Sequence, residues 1–259
     1  MENLKTQETE IRFPTLTIAV PALNEELQIA NTLNSIKSAA SKFNDIVLEI
    51  IVIDDGSTDR TGTLVQELFD SISGLKLITN EVNLGLGTSI RKAINGAKSN
   101  RFMIVPGDND IPKETLELLF KNLNAADLVM TYFYNDECRG RGRYLLSEAF
   151  RLIYTTTFNL YVMYINGPAI YPTELLREIK LKSTRFSIVA ELNVKILRHG
   201  ISFVEIPSSR QIGSIGSTAV TLRSLAETIS VFFHLVVEIC FINKSKYTKY
   251  PFRKYITTN

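Results

Sequence analysis

Short apolar runs, each stopping at a polar or acidic cluster and alternating with segments of helical period, constrain this chain more than any other feature. Residues 16–20 are halted by Pro21 and followed by Asn24-Glu25-Glu26. Residues 47–53 run into Asp54-Asp55-Gly56-Ser57-Thr58-Asp59, and residues 102–105 into Pro106-Gly107-Asp108-Asn109-Asp110. Short runs rich in β-branched residues read as buried strands. Residues 75–79 and 127–132 add a third and a fifth strand, 166–171 a turn into a short strand, and 201–206 a last strand closed by Pro207. Between them Ile29, Leu33, Ile36 and Ala40, then Leu64, Val65, Leu68 and Phe69, then Leu116, Leu119, Phe120 and Leu123, then Leu192, Ile196 and Leu197 recur at the spacing of helices with one buried face. Residues 89–98 and 144–163 complete the helical set, and Ser57 or Thr58 is expected to cap the second helix. This alternation implies an α/β fold, a mostly parallel mixed sheet flanked by helices.

Ligands of such sheets sit beyond the carboxyl ends of the strands. Asn24-Glu25, Asp54-Asp55 and Asp108-Asn109-Asp110 all follow strands directly, so they line one edge, whereas a need for solubility alone would scatter acids over both. Asp108 and Asp110 are two residues apart and project to the same side of an extended segment. Oxygen-only ligands suit Mg²⁺ or Mn²⁺, whose other positions are filled by water and substrate phosphates. An Asp-Asn-Asp cluster beside Gly and Pro is also ordinary turn chemistry; the one-sidedness of the clusters favours a site. Gly85-Leu86-Gly87 is not a dinucleotide fingerprint, because the third glycine is missing and the stretch follows the third strand.

Beyond the fifth strand, Arg139, Arg141 and Arg143 fall within five residues, and Ser147 lies one helical turn past Arg143. Arginine forks suit phosphate, and an Arg with a Ser at i+4 can hold one phosphate group. Arg139 and Arg141 read nearly as well as a solvated loop. Glu191 opens a helix, where an acid suits the macrodipole, and His199 at a helix end is assigned no chemistry.

Composition sets outer bounds. A chain of 259 residues, 45% apolar and 22% charged, can bury the core of one large domain, and a formal charge of +2 gives no global reason to expect nucleic acid. Cys138 and Cys240 have neither disulfide nor zinc spacing, which points to reduced intracellular thiols. Residues 1–12 are polar and carry no apolar signal-peptide core. In residues 219–242, Leu222, Leu225, Ile229, Phe232, Phe233, Val236 and Cys240 form an apolar stripe opposite Arg223, Glu227, His234 and Glu238. Glu227 and Glu238 interrupt it too soon for a bilayer crossing. With the basic, aromatic residues 244–255 it suits either a surface-lying anchor on an anionic leaflet, or a helix packed on the domain with a solvated tail, or a partner interface.

Four of these stretches, Pro21-Ala22-Leu23-Asn24-Glu25, the Val52 to Asp59 run, Asn83-Leu84-Gly85-Leu86-Gly87 and Gly107-Asp108-Asn109-Asp110, resemble in order and spacing the family 2 glycosyltransferases. The second half is similar, more loosely, to dolichyl- or polyprenyl-phosphate mannose or glucose synthases. Arg143 with Ser147 matches their Arg-x-x-x-Ser element, Phe186 to Glu191 their aromatic-to-Glu segment, and Glu205-Ile206-Pro207 with Arg210, Gly213, Gly216 and Ser217 their run after the last strand. Four positions depart from that pattern. Asn109 fills the middle of the Asp-x-Asp element in place of alanine, Leu23 stands where an aromatic is usual, an arginine usual after the fifth strand is absent near Thr131-Tyr132-Phe133, and Thr218 replaces a lysine.

The resemblance implies a single nucleotide-diphospho-sugar transferase domain over residues 1–217, with a donor half at 1–132 and an acceptor half at 133–217, followed by amphipathic helix and tail at 218–259. It implies an inverting hexosyl transfer from a GDP- or UDP-hexose. Pro21, Ala22, Asn24, Glu25, Asp54, Asp55, Gly85, Asp108, Asn109 and Asp110 would bind the donor, with Mg²⁺ or Mn²⁺ on Asp108 and Asp110. Asp110, Arg143, Ser147, Glu191 and Arg210 would form the reacting side. A phosphate acceptor is already an anion, so Arg143, Ser147 and Arg210 tilt the expectation toward polyprenyl or dolichyl phosphate at the cytoplasmic face of a membrane. A hydroxyl of a glycan or lipid-linked saccharide is the alternative, with Glu191 as its general base. A catalytically silent scaffold of the same fold, a homo-oligomer and a membrane-protein partner also stay open.

Overall fold

A computed structural model describes residues 15–134, 141–183, 187–209 and 222–256. The strands are β1 (Thr15–Ala22), β2 (Val47–Asp54), β3 (Leu75–Thr79), β4 (Arg101–Ile104), β5 (Leu128–Phe133), β6 (Ala169–Pro172), β7 (Ser202–Ser208) and β8 (Phe252–Arg253). They form one sheet in the order β3-β2-β1-β4-β6-β5-β7-β8. Every pairing is parallel except those of β6, which runs antiparallel to both β4 and β5. The helices are α1 (Ile29–Ala40), α2 (Thr61–Gln66), α3 (Leu86–Gly96), α4 (Lys113–Lys121), α5 (Arg141–Phe158), α6 (Thr173–Glu178), α7 (Ile188–Arg198) and α8 (Leu222–Val237).

Alternate residues of the central strands feed two cores. Leu16, Ile18 and Val20 of β1, with Ile50 and Val52 of β2, pack with Ile29, Leu33 and Ile36 of α1, Val65 of α2 and Leu116, Leu119 and Phe120 of α4. Ala19, Ile51 and Ile53 face the other way, into a cluster with Ile90 and Ala93 of α3, Tyr154 and Phe158 of α5, Leu192 and Ile196 of α7, and Val231 and Leu235 of α8. A strand buried on both faces needs the near-continuous apolar runs seen in the sequence.

Several local expectations are corrected. Ser57 and Thr58 do not cap α2, whose N-cap is Arg60 without a side-chain cap bond; both bond to Asn24 instead. Phe69 lies past the end of α2 and is exposed. In α8 the buried face overlaps the expected stripe only in part: Phe232, Val236 and Cys240 pack against the core as expected. Val231, Leu235 and, in the π-helical turn that follows, Ile239 are buried, while Ile229 and Phe233 are exposed. The apolar arc is wider than the face that can be buried, so periodicity could not choose which edge of it meets the core. The side chains of Leu222, Arg223 and Leu225 lie outside the described residues. The tail is docked rather than solvated: Tyr247 is buried edge-on to His199 with ring centroids 5.2 Å apart, and β8 extends the sheet from β7.

Beneath α8 lies a buried ion cluster. Lys195 and Glu191 of α7 have fully buried side chains 2.8 Å apart, and Lys195 reaches Glu238 at 2.8 Å and the Lys180 carbonyl at 2.6 Å. Removing one partner strands a buried charge. Lys195→Met is expected to lower unfolding free energy by about 3–5 kcal/mol, read from denaturant midpoints at constant slope.

Candidate functional site

The strand order reverses at β1, which lies between β2 and β4. That is the topological switch point, where the connections leaving neighbouring strands part and open a crevice. Backbone ladder bonds continue beyond the strands here. Asp55 N–H donates to the Ala22 carbonyl at 2.9 Å and Gly107 N–H to the Pro21 carbonyl at 3.0 Å, so the three loops start side by side. A Cβ on Gly107 would lie 3.1 Å from the Ala22 Cβ, and only a residue without one lets the strand ends approach this closely.

The β1 and β2 loops are laced together. Asn24, with a φ of 57°, receives hydrogen bonds on its Oδ1 from Thr58 N–H at 2.9 Å, and its own N–H donates to Ser57 Oγ at 2.9 Å. Glu25 N–H donates to Thr61 Oγ1 at 2.8 Å, and Glu26 N–H to Asp59 at 3.1 Å. The loop after β3 is fixed by Asp55. Its buried carboxylate accepts from Asn80 Nδ2 at 2.7 Å, Leu84 N–H at 3.0 Å and Gly85 N–H at 2.8 Å. Gly85, with a φ of 88°, then leads into α3. Asp54, also buried, accepts from Ser57 N–H at 2.9 Å.

Asp108 and Asp110 stand exposed at the end of β4. Asp110 N–H donates to Asp108 Oδ1 at 3.2 Å, Asn109 between them has a φ of 56°, and Ser35 Oγ donates to its Oδ1 at 3.3 Å. The crevice walls partly desolvate Asp108 and raise its pKa, and the charge of Asp110 adds to this. Glu25 is raised likewise, first by burial and then by the charges of Asp108 and Asp59. The structure therefore brings Glu25, Asp108 and Asp110 into one electrostatic neighbourhood, and no ion pair engages them among the described residues. No group of three or more His, Cys, Asp or Glu that could hold a metal occurs among the described residues. Mg²⁺ commonly takes only one or two carboxylates and leaves its remaining positions to water and phosphate, so the oxygen donors of Asp108 and Asp110 fit such an ion.

The expected reacting side is placed less completely. Arg143 and Ser147 fall one turn apart on α5, where Ser147 is half-buried. The side chains of Arg141 and Arg143 and the whole of Cys138, Arg139, Phe186 and Arg210 lie outside the described residues, as do Gly213, Gly216, Ser217 and Thr218. Glu191 is corrected: its carboxylate has no solvent access and accepts from Lys182 N–H at 2.9 Å, Ser183 N–H at 2.7 Å and Lys195 Nζ at 2.8 Å. It fastens the 180–183 segment to α7 and is not placed to take a proton from an acceptor. Asn80 and Thr61 were missed, although Asn80 follows β3 at the same sheet edge and could have been read with the other post-strand polar residues.

A switch-point crevice lined by laced polar loops and two exposed carboxylates defines a nucleotide-binding α/β protein. Residues 17–180 match the family model described as Glycosyl transferase family 2, and the chain belongs to that family. It is 30% identical over 152 residues to probable glycosyltransferase YdaM of Bacillus subtilis, covering 51% of this chain and 36% of that protein. It is 27% identical over 128 residues to dolichyl-phosphate β-glucosyltransferase ALG5A of Trichomonas vaginalis, covering 45% and 40%. Poly(ribitol-phosphate) β-N-acetylglucosaminyltransferase TarS of Staphylococcus aureus is 29% identical over 166 residues, covering 62% of this chain and 28% of TarS. The matched stretch thus spans less than half of each of these relatives. The crystal structure of TarS residues 1–349 with UDP-GlcNAc superposes with a TM-score of 0.61 at 24% identity, covering 88% of this chain and 67% of that one, and shares the fold.

The acids of the crevice divide into those that hold loops and those left to a ligand. Asp55→Ala, which removes the acceptor of Asn80 Nδ2 and Leu84 N–H and one of the two acceptors of Gly85 N–H, is expected to destabilise the protein by about 2–4 kcal/mol. Asp108→Asn keeps an acceptor for Asp110 N–H and removes like-charge repulsion. Its thermal midpoint without ligand is expected to rise above that of the parent at neutral pH, as scanning calorimetry would record.

Proposed function

We propose that this chain transfers a hexose, with inversion, from a nucleoside-diphosphate sugar to a hydroxyl of a saccharide-type acceptor. The observation that carries the donor half is that Glu25, Asp108 and Asp110 follow the ends of β1 and β4 at the switch point, with Asp108 near enough to raise the pKa of Glu25 and Asp110 near enough to raise that of Asp108; a cation there would relieve the repulsion. The loop of Pro21, Ala22, Asn24 and Glu25, with Asp54 and the Asp55–Gly85 loop, would cradle the nucleoside. Asn109, held by Ser35, would keep the Asp108 and Asp110 carboxylates aimed into the crevice. Mg²⁺ or Mn²⁺ on those carboxylates would offset the charge that grows on the departing diphosphate. The acceptor oxygen bonds to the anomeric carbon from the face opposite the leaving group, the bond to the diphosphate breaks, and the hydroxyl proton passes to a base. Direct displacement of this kind inverts the anomeric centre.

The acceptor is the less constrained half. TarS is named for a ribitol-phosphate polymer and ALG5A for dolichyl phosphate, so the acceptors these names give do not agree on one class. The Arg143–Ser147 spacing on α5 is the feature that would suit a phosphate. Two other arginines on this side, Arg151 and Arg253, are each already paired with a carboxylate, which favours a neutral hydroxyl over an anion.

A second reading, contact with a membrane surface, is favoured by one observation. Leu145, Leu146, Leu152 and Ile153 of α5, Ile229, Phe233 and Val237 of α8, and Phe241 and Ile242 after it are all large, apolar and exposed. Exposed Lys244, Lys246 and Lys249 follow directly. Apolar side chains beside lysines suit an anionic leaflet. No helix among the described residues is long and apolar enough to cross a membrane.

Two measurements test these readings. UDP or GDP with Mn²⁺, at a hundred times its dissociation constant, should stabilise the chain by about 2.7 kcal/mol, a rise of several degrees in midpoint. Asp108→Ala and Asp110→Ala should abolish the metal-dependent part of that shift and lower donor turnover about a hundredfold or more. No shift with any nucleoside diphosphate would overturn the donor reading. For the membrane, flotation with phosphatidylglycerol vesicles should carry the parent chain and leave Phe233→Glu/Phe241→Glu in the bottom fraction. Equal flotation of both removes the role of this surface.

A further inference from the structure

A second concavity opens beside the donor crevice on the same edge of the sheet. It is a cleft of about 500 Å³ lined by the end of β5, one side of α5, residues 160–164 and Arg253. The ends of β4 and β5 are separated by β6 alone. At the usual strand spacing the cleft therefore begins about 10 Å from the loop that bears Asp108 and Asp110.

The chemistry of its walls is specific. Phe133 and Tyr164 meet edge to face with centroids 5.5 Å apart, and Tyr134, Tyr144 and Tyr161 add rings that are exposed to solvent. Three charged residues line it, and all are paired. Arg151 bonds to Glu148 at 2.6 Å, while Arg253 reaches buried Glu205 at 2.6 Å. The cleft thus offers flat aromatic surfaces and fixed polar edges without an unpaired charge among its described lining residues. Binding sites of this size are commonly apolar and aromatic, with a few placed polar groups that set orientation. An uncharged ring with one C–H face and a rim of hydroxyls matches these walls; a phosphate would have to break an ion pair to find a cation.

The wall opposite β5 depends on the chain's C-terminal segment. Glu205 of β7 accepts from Met163 N–H at 2.7 Å, and Arg253 of β8 donates to the Tyr161 carbonyl at 2.7 Å. The Glu205–Arg253 pair thereby grips the 161–163 segment from two sides. β8 is two residues long and pairs only with β7, so Arg253 is delivered by a strand that serves little other packing.

We propose that this cleft binds an uncharged saccharide ring, and that Arg253 is the positioning residue that holds its outer wall. That the ring belongs to the acceptor rests on the sugar-transfer reading; the binding itself does not.

Saturation-transfer NMR on the full chain, with methyl β-glucoside, methyl β-galactoside and methyl α-mannoside as probes and no donor present, tests the proposal. At least one glycoside is expected to bind. Tyr161→Ala, at a site where the ring is 81% exposed and its loss leaves no cavity, should weaken that binding tenfold or more. Arg253→Lys, which keeps a charge for Glu205 but cannot also span to the Tyr161 carbonyl, should weaken it severalfold, and both variants should keep the parent's thermal shift with UDP and Mn²⁺. The proposal is overturned if none of the glycosides binds, if binding is unchanged in both variants, or if inorganic phosphate displaces the glycoside. A bound glycoside in a chain that ignores every nucleoside diphosphate would support the cleft and remove the donor reading instead.

Discussion

Everything at the donor site depends on the parallel pairing of β1 with β2 on one side and β4 on the other, and on the ladder not stopping where the strands do. Asp55 N–H to the Ala22 carbonyl, Asn80 N–H to the Asp54 carbonyl and Gly107 N–H to the Pro21 carbonyl carry the register past the strand ends. Loops that start in register bring their first polar residues to the same height. Parallel strands buried on both faces hold that register firmly, because a slip of one residue would exchange the two cores. The position of each acid is thus inherited from the packing of Ile18, Val20, Ile50 and Val52 several residues earlier.

The sequence disclosed this part of the molecule well, for a physical reason. A strand sandwiched between two helical layers must be apolar throughout, so its end is marked sharply by the first acid or proline. The acids Glu25, Asp54, Asp55, Asp108 and Asp110 were therefore legible together with the edge they share. What was not legible depended on partners distant in sequence. Ser57 and Thr58 look like helix caps until Asn24 is known to face them. Glu191 looks like an available carboxylate until Lys195 and the 180–183 backbone are seen to enclose it. In α8 the apolar residues Ile229, Val231, Phe232, Phe233, Leu235 and Val236 span an arc wider than one buried face, so helical period alone could not say which would meet Tyr154 and Phe158; the structure seats Phe232 there, with centroids 5.1 and 5.9 Å away. The short strand β8 has no pattern of its own to read, since two residues show no period.

The acids also illustrate two opposite uses of one side-chain type. Asp55 is buried and stable because three donors converge on it, and a carboxylate so satisfied fixes a loop. Glu25 and Asp108 are partly desolvated and lie near like charge, so burial and repulsion both raise their pKa. A carboxylate held in that state is costly to the folded chain on its own, and it persists at sites where a ligand of opposite sign relieves it. The first kind of acid orders the loops at the sheet edge that the second kind shares: Asp55 bonds to Leu84 and Gly85 while its own N–H continues the ladder from Ala22.

A similar dependence runs along the other half of the edge, with the roles of near and distant sequence reversed. Glu205 sits within the Glu-Ile-Pro run at the end of β7, yet its task is set by a tail almost fifty residues later. Its pKa is raised by burial, against the pull of the Met163 N–H bond and the Arg253 charge. A buried carboxylate in that balance needs its arginine, because loss of the guanidinium would leave the raised group facing only backbone donors. The C-terminal segment therefore cannot be regarded as an appendage to a finished domain. Through one ion pair it completes the cleft that adjoins the donor crevice, and the same stretch of chain that carries Arg253 also carries the exposed lysines and apolar side chains beside α8. The Glu205–Arg253 pair and the Arg253 bond to the Tyr161 carbonyl thus join β7, β8 and the 161–163 segment into one wall.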